Sequence, residues 1–220
     1  MPLSAYAKDN FIAPDMSSFT TAKIKDMAKT SAEREHWLYN YILNSLLRVE
    51  IDERLRQTLF NFLRRTQFAF REYALAREQT AAYLKRASNA APSYFIAIGR
   101  WETVLSHTWQ AYELLVGTEK RALFEPNDGS ALQRLNLLYN RSKHVKTAIN
   151  AGQLAPGSTL AVWLANEGLR AVDGQLTFDE IARILEELAV WSDAVQDPLT
   201  MGEKILARYP EAAASPARPT

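Results

Sequence analysis

From Ile51 to Arg86 no glycine or proline interrupts the chain, and most of its residues are good helix formers. A stretch of about 35 such residues can form one long helix or two helices joined by a tight kink, and little else. Leu55, Leu59, Leu63, Phe70, Leu75 and Tyr83 mark its buried side, with Arg54, Arg64, Arg65, Arg71 and Arg77 scattered around it. Solvated positions and intrahelical ion pairs account for such arginines in most helices. A helix of this length serves as a spine for shorter elements, so the expected architecture is mainly all-α, a multi-helix bundle.

The flanking segments supply the other helices. Thr30 and Glu33 have capping-box spacing ahead of Trp37, Leu38, Tyr41, Ile42, Leu46 and Leu47, which predicts a helix to about Val49. Pro92 opens another, and Phe95, Ile98, Trp101, Leu105, Trp109, Tyr112 and Leu115 give it a broad aromatic face before Gly117 ends it. From Asp128 to Asn150, with Asp128 or Ser130 as cap, the spacing predicts one continuous helix burying Leu132, Leu135, Leu138, Ser142, Val145 and Ile149. The period then changes: Thr159–Ala165, a turn at residues 166–168 and Leu169–Val172 read as a β-hairpin resting on the helices through Trp163. Thr177 and Glu180 open a last strong helix carrying Ile181, Ile184, Leu185, Leu188, Trp191 and Val195. A first helix is expected near Ser17 or Ser18, and a short one over Met201–Tyr209. The organisation is therefore an N-terminal arm (1–16), one helical domain (17–209) with the hairpin near 159–172, and a disordered tail (210–220).

Composition excludes several kinds of chemistry. With no cysteine there are no disulfides, thiolate zinc sites or cysteine nucleophiles. With 8 glycines and no phosphate-cradling loop, no HExxH and no GxSxG, the common nucleotide and hydrolase motifs are missing. His36, His107 and His144 fall on three predicted helices, and Glu33–His36 is a single Glu-x-x-His where di-metal bundles need two. No metal or cofactor is expected. The acidic pairs Asp52–Glu53, Asp179–Glu180 and Glu186–Glu187 lie at helix starts or on polar faces, where solvation explains them. No apolar run approaches the roughly 20 residues that span a bilayer, and the N-terminus lacks a basic segment followed by an apolar one. The expectation is a soluble, cytoplasmic protein without membrane contact. The formal charge of +1 is unevenly placed: bases exceed acids over Arg48–Arg86 and Lys120–Lys146, and acids dominate Glu167–Glu203. Internal complementarity explains this, as does a basic groove that meets phosphate.

One face of the 128–150 helix collects Leu137, Asn140, Arg141 and His144, a carboxamide, a guanidinium and an imidazole at steps of three, four and seven. The segment Tyr139-Asn140-Arg141-Ser142-Lys143-His144 resembles the signature of the HEPN superfamily, an arginine, commonly a following polar residue such as asparagine, and a histidine after four to six intervening residues. HEPN proteins are small helical bundles, often RNases or nucleotide-binding partners in bacterial defence and toxin–antitoxin systems. The resemblance implies that Asn140 fills the polar position and His144 the catalytic one, with Tyr139 standing where the family has arginine. Tyrosine supplies neither the charge nor the forked donors of a guanidinium; Arg141 and Arg134 are the available substitutes, neither at the family's spacing. In a working site His144 would move a proton, Arg141 would stabilise charge on the phosphate and Asn140 would orient RNA, with Arg134, Lys143 and Tyr139 as binding neighbours; attack by the RNA's own 2′-hydroxyl needs no metal. The same residues also suit a polar network tying the helix to the loop after it or to the hairpin.

The favoured expectation is a HEPN-like binding or interaction module, for RNA or a protein partner, with a degenerate site. The alternatives are a metal-independent endoribonuclease and a purely structural or oligomerisation bundle. The five tryptophans exceed what a minimal core needs, which leaves some for an interface such as that of a homodimer.

Overall fold

The uninterrupted stretch forms a single helix. The computed structural model describes residues 3–27, 36–48, 51–85, 91–117, 122–201 and 203. Along them run α1 (Ala5–Phe11), α2 (Trp37–Arg48), α3 (Glu53–Lys85), α4 (Ala91–Gly117), α5 (Ala131–Lys143), α6 (Val145–Asn150), β1 (Trp163–Ala165), β2 (Gly168–Ala171), β3 (Gly174–Thr177) and α7 (Phe178–Val195). Among the described residues the protein is a mainly helical bundle with a small antiparallel sheet, and no helix is long and apolar enough to cross a membrane. The residues at Thr30 and Glu33, most of 201–209 and the tail lie outside the described residues.

The 33-residue α3 follows Asp52, whose carboxylate accepts the Leu55 N–H at 3.0 Å. It packs antiparallel along α4 through an aromatic seam, Tyr73 edge-on to Trp101 at 5.4 Å and Tyr83 edge-on to Tyr94 at 5.4 Å. Trp101 is fully buried, lies 4.9 Å from the Phe178 ring of α7 and donates its indole N–H to Thr80 Oγ1 at 3.0 Å. α2 packs at the other, C-terminal end of α7, where Trp37 Nε1 donates to Asp193 Oδ1 at 2.7 Å.

Besides α1, a helix that forms within the expected arm, three elements depart from the sequence reading. No helix starts at Ser17 or Ser18. There the Ser17 N–H goes to Asp9 Oδ1 at 2.7 Å, and Asn166 Oδ1 takes the Thr20 and Thr21 N–H groups at 3.1 and 3.2 Å. Side chains thus claim the donors a first turn would have used. The arm lies on the domain: Ala13, Met16 and Phe19 are buried, and Phe19 stacks on Tyr83 at 5.8 Å. The expected hairpin gains a third strand, in the order β1-β2-β3. Leu164, Leu169 and Leu176 are register partners in turn and all fully buried, but the Gly174–Thr177 strand is too short for alternation to show in sequence. The third departure, a break in the 128–150 helix, is described with the site.

Thr177 ends β3 and caps α7. Its hydroxyl accepts the Glu180 N–H at 3.1 Å, and Glu180 Oε2 accepts the Thr177 N–H at 2.9 Å, a complete capping box. Burial pushes the Glu180 carboxyl up, but the hydrogen bonds from Thr177 and the neighbouring Arg134 outweigh it, and Glu180 ionises below the usual carboxylate range. A depressed carboxyl contributes stability that is present above its unfolded pKa and lost as pH falls through the folded one. Thr177→Ala is expected to lower the unfolding free energy by about 1 kcal/mol in urea titrations at neutral pH, with the deficit shrinking in acid as Glu180 protonates.

Candidate functional site

The site is built on α5 and the break that follows it. Asn127 and Gly129 take left-handed backbone, φ 63° and 68°, and between them Asp128 accepts the Ser130 N–H at 2.7 Å and the Glu125 N–H at 3.2 Å. Those donors, Ser130 foremost, hold the Asp128 carboxyl below its usual range. Ser130, rather than Asp128, caps α5, its hydroxyl accepting the Gln133 N–H at 3.1 Å. Leu135 and Leu138 are buried as the stripe requires.

The expected continuous helix stops at Lys143. His144 sits at φ −110°, ψ 40°, and a short α6 follows it. The Ser142 hydroxyl bonds back to the Tyr139 carbonyl at 3.0 Å, the kind of side-chain competition that bends helices. Beyond the break the buried position shifts from Val145 and Ile149, 39% and 55% exposed, to Ala148 at 2%.

The bend leaves an open hollow of about 690 Å³ against the loop around Phe124 and Asn127 and the residues after α6. Asn140, Arg141 and His144 line it together with Leu137 and Thr147, and so do the carboxamides of Asn127, Gln133, Asn136 and Gln153. Asn140 Nδ2 donates to Asn136 Oδ1 at 2.6 Å, so the two amides act as one unit that still has three N–H donors and the Asn140 oxygen to offer. His144 is exposed, and its backbone N–H closes α5 on Asn140 O at 2.9 Å.

Of the three arginine-or-aromatic neighbours only Arg141 reaches the hollow. Arg141 lies within the hollow, but its guanidinium is engaged: Nε donates to Asp173 Oδ1 at 3.4 Å, Nη2 to Asp173 Oδ2 and Nη1 to Gln153 Oε1. It therefore ties α5 to the loop after α6 and to the β2–β3 turn. Arg134 turns away, to Gly129 O and Glu180. Tyr139 is buried and stacks on Trp109 at 6.2 Å, with Lys143 Nζ 5.3 Å above its ring. His107, on α4, pairs with Arg65, and His36 precedes α2, so the three histidines do not meet; among the described residues no three metal-ligating side chains gather.

Gln133 and Asn136 are seven and four residues before Asn140, a spacing by which the helix face alone places them on the site. Asn127, Gln153 and Asp173 come from other segments, and nothing local in the sequence marks them. Compared with family models, with curated proteins and with solved structures, the chain finds no match.

Proposed function

We propose that this chain is a divergent HEPN-like helical protein that binds single-stranded RNA at the α5–α6 hollow without cleaving it. The observation that carries the reading is the convergence of five carboxamides, Asn127, Gln133, Asn136, Asn140 and Gln153, around one hollow that also holds His144. Asn127 and the joined Asn136–Asn140 pair offer donors and acceptors, the complement of an unpaired base edge. Gln133 and Gln153, whose oxygens accept the Gly129 N–H and the Arg141 guanidinium, offer their amide N–H groups. Leu137 and Phe124 provide apolar wall for a base face. The arrangement argues against efficient cleavage on charge grounds. Phosphoester cleavage with His144 as proton carrier needs a cation for the developing charge. The position where the HEPN motif has arginine holds a buried tyrosine, and Arg141 is already forked onto Asp173.

The test is titration of a labelled mixed-sequence single-stranded RNA followed by anisotropy. Wild-type protein is expected to bind, and the Asn136→Ala/Asn140→Ala double variant to bind about tenfold more weakly, the equivalent of ~1.4 kcal/mol. Equal affinity in both proteins would remove the hollow from the account.

A further inference from the structure

The hollow is poor in net positive charge, because its one arginine is neutralised by Asp173. A strand of RNA carries a phosphate at every nucleotide, and affinity for it is mostly electrostatic. The charge that would meet those phosphates stands elsewhere, on α3. From Arg54 to Arg71 the chain has five arginines and no acidic residue. Arg64, Arg65 and Arg71 have no carboxylate three or four residues away on either side, so the intrahelical pairs that ordinarily neutralise helix arginines are unavailable to them.

The fold does not make up the deficit. Among the described residues none of these three forms an ion pair. Arg64 donates to Asn61 Oδ1 at 3.2 Å, and Arg65 Nη1 lies 3.1 Å from His107 Nδ1, both neutral partners. Burial, then the adjoining Arg65, holds the His107 pKa below its usual value, so the ring accepts from Arg65 at neutral pH and adds no charge of its own. Two acids stand near. Glu72 is taken by Arg100 at 2.9 Å, and Glu113 borders a small hollow beside Arg65 without pairing with it. Arg64 and Arg65 are partly buried, which positions their heads, while Arg71 is exposed. Between them on the same face Phe68 is 38% exposed, its ring 5.4 Å from that of His107. At steps of three and four, Arg64, Arg65, Phe68 and Arg71 form one surface of fixed cations around an aromatic ring.

We infer that this face of α3 is a second RNA contact, a tract that grips the phosphate backbone of single-stranded RNA through Arg64, Arg65 and Arg71 and stacks a base on Phe68. The chemistry is that of single-strand platforms, cations tracking the backbone with an aromatic ring between them. The inference rests on the RNA reading above but on separate residues: α4 lies between the two surfaces, with His107 facing α3 and Trp109, two residues on, packed against Tyr139 of α5.

The experiment is the salt dependence of RNA affinity for the full chain, comparing wild type, Arg64→Gln/Arg65→Gln/Arg71→Gln, the matching triple lysine variant and Asn136→Ala/Asn140→Ala. For single strands the slope of log affinity against log salt changes by roughly 0.7 per phosphate contact. The triple glutamine variant is expected to have a slope shallower by about 2, with the lysine variant close to wild type because charge is retained. Should the glutamine variant fail to fold, Arg71→Glu at its exposed position carries the same test, with a slope shallower by about 0.7. An unchanged slope in the glutamine variant, or in Arg71→Glu where that replaces it, overturns the tract and leaves the hollow standing. A shallower slope with no effect of the amide variant upholds the tract and removes the hollow. A wild-type chain that ignores RNA but binds vesicles of anionic lipid overturns both.

Discussion

Trp101→Ala is expected to lower the unfolding free energy by about 3–5 kcal/mol, a large part of the total for a domain of this kind. Trp101 is fully buried where α3, α4 and α7 meet, edge-on to Tyr73 and 4.9 Å from the Phe178 ring. Truncation removes those contacts from a site walled by long helices that cannot close over the space. It also removes the indole N–H from Thr80 Oγ1, which keeps its own bond to the Ala76 carbonyl at 2.7 Å. Trp101→Phe keeps an aromatic ring and loses mainly that hydrogen bond, so a smaller loss of about 1–2 kcal/mol is expected. Urea unfolding of the three proteins orders them; a loss below ~1 kcal/mol in the alanine variant would mean that this junction is not the centre of the core.

Gly168→Ala is expected to cost about 3 kcal/mol, the upper end for forcing extra volume into a packed site. Gly168 pairs with Thr177 across β2 and β3, and a Cβ there would overlap the Leu176 carbonyl oxygen and lie 2.6 Å from Thr177 Cα. Both obstacles are backbone, and the second belongs to the residue that caps α7, so strand pairing and helix start are strained together. Gly174→Ala is the control. Its Cβ would meet the flexible end of Leu137 at 3.0 Å and Leu138 Cδ1 at an ordinary 3.7 Å, and the expected loss is under ~1 kcal/mol. Thermal unfolding separates the two, and equal losses would contradict the backbone explanation.

These two residues also show what can be read from sequence and what cannot. Trp101 belongs to an aromatic series at helical spacing, and the same periodicity locates α3, α4 and α7 because each is long enough for its pattern to repeat. Gly168 reads as a turn glycine. Its actual constraint, close approach of a neighbouring strand, depends on β3, whose few residues carry no periodic signal. The break at His144 escaped for a related reason: no glycine or proline marks it, and beyond it the buried position moves from Val145 and Ile149 to Ala148. At the candidate site, Asn140, Arg141 and His144 share a face of one helix and so were visible together. The partners that engage Arg141, Asp173 and Gln153, lie 32 and 12 residues along the chain and become neighbours only through the fold. That engagement, invisible in the motif, adds a second ground, beside the tyrosine at the arginine position, for the binding reading already favoured from the sequence.

The most direct measurement is incubation of wild-type protein and His144→Ala with a mixed single-stranded RNA pool in EDTA, following binding at several salt concentrations and RNA integrity in the same samples. The account predicts salt-sensitive binding by both proteins and intact RNA throughout. Cleavage by the wild type that disappears in His144→Ala, or no binding by either protein at the lowest salt, would contradict it.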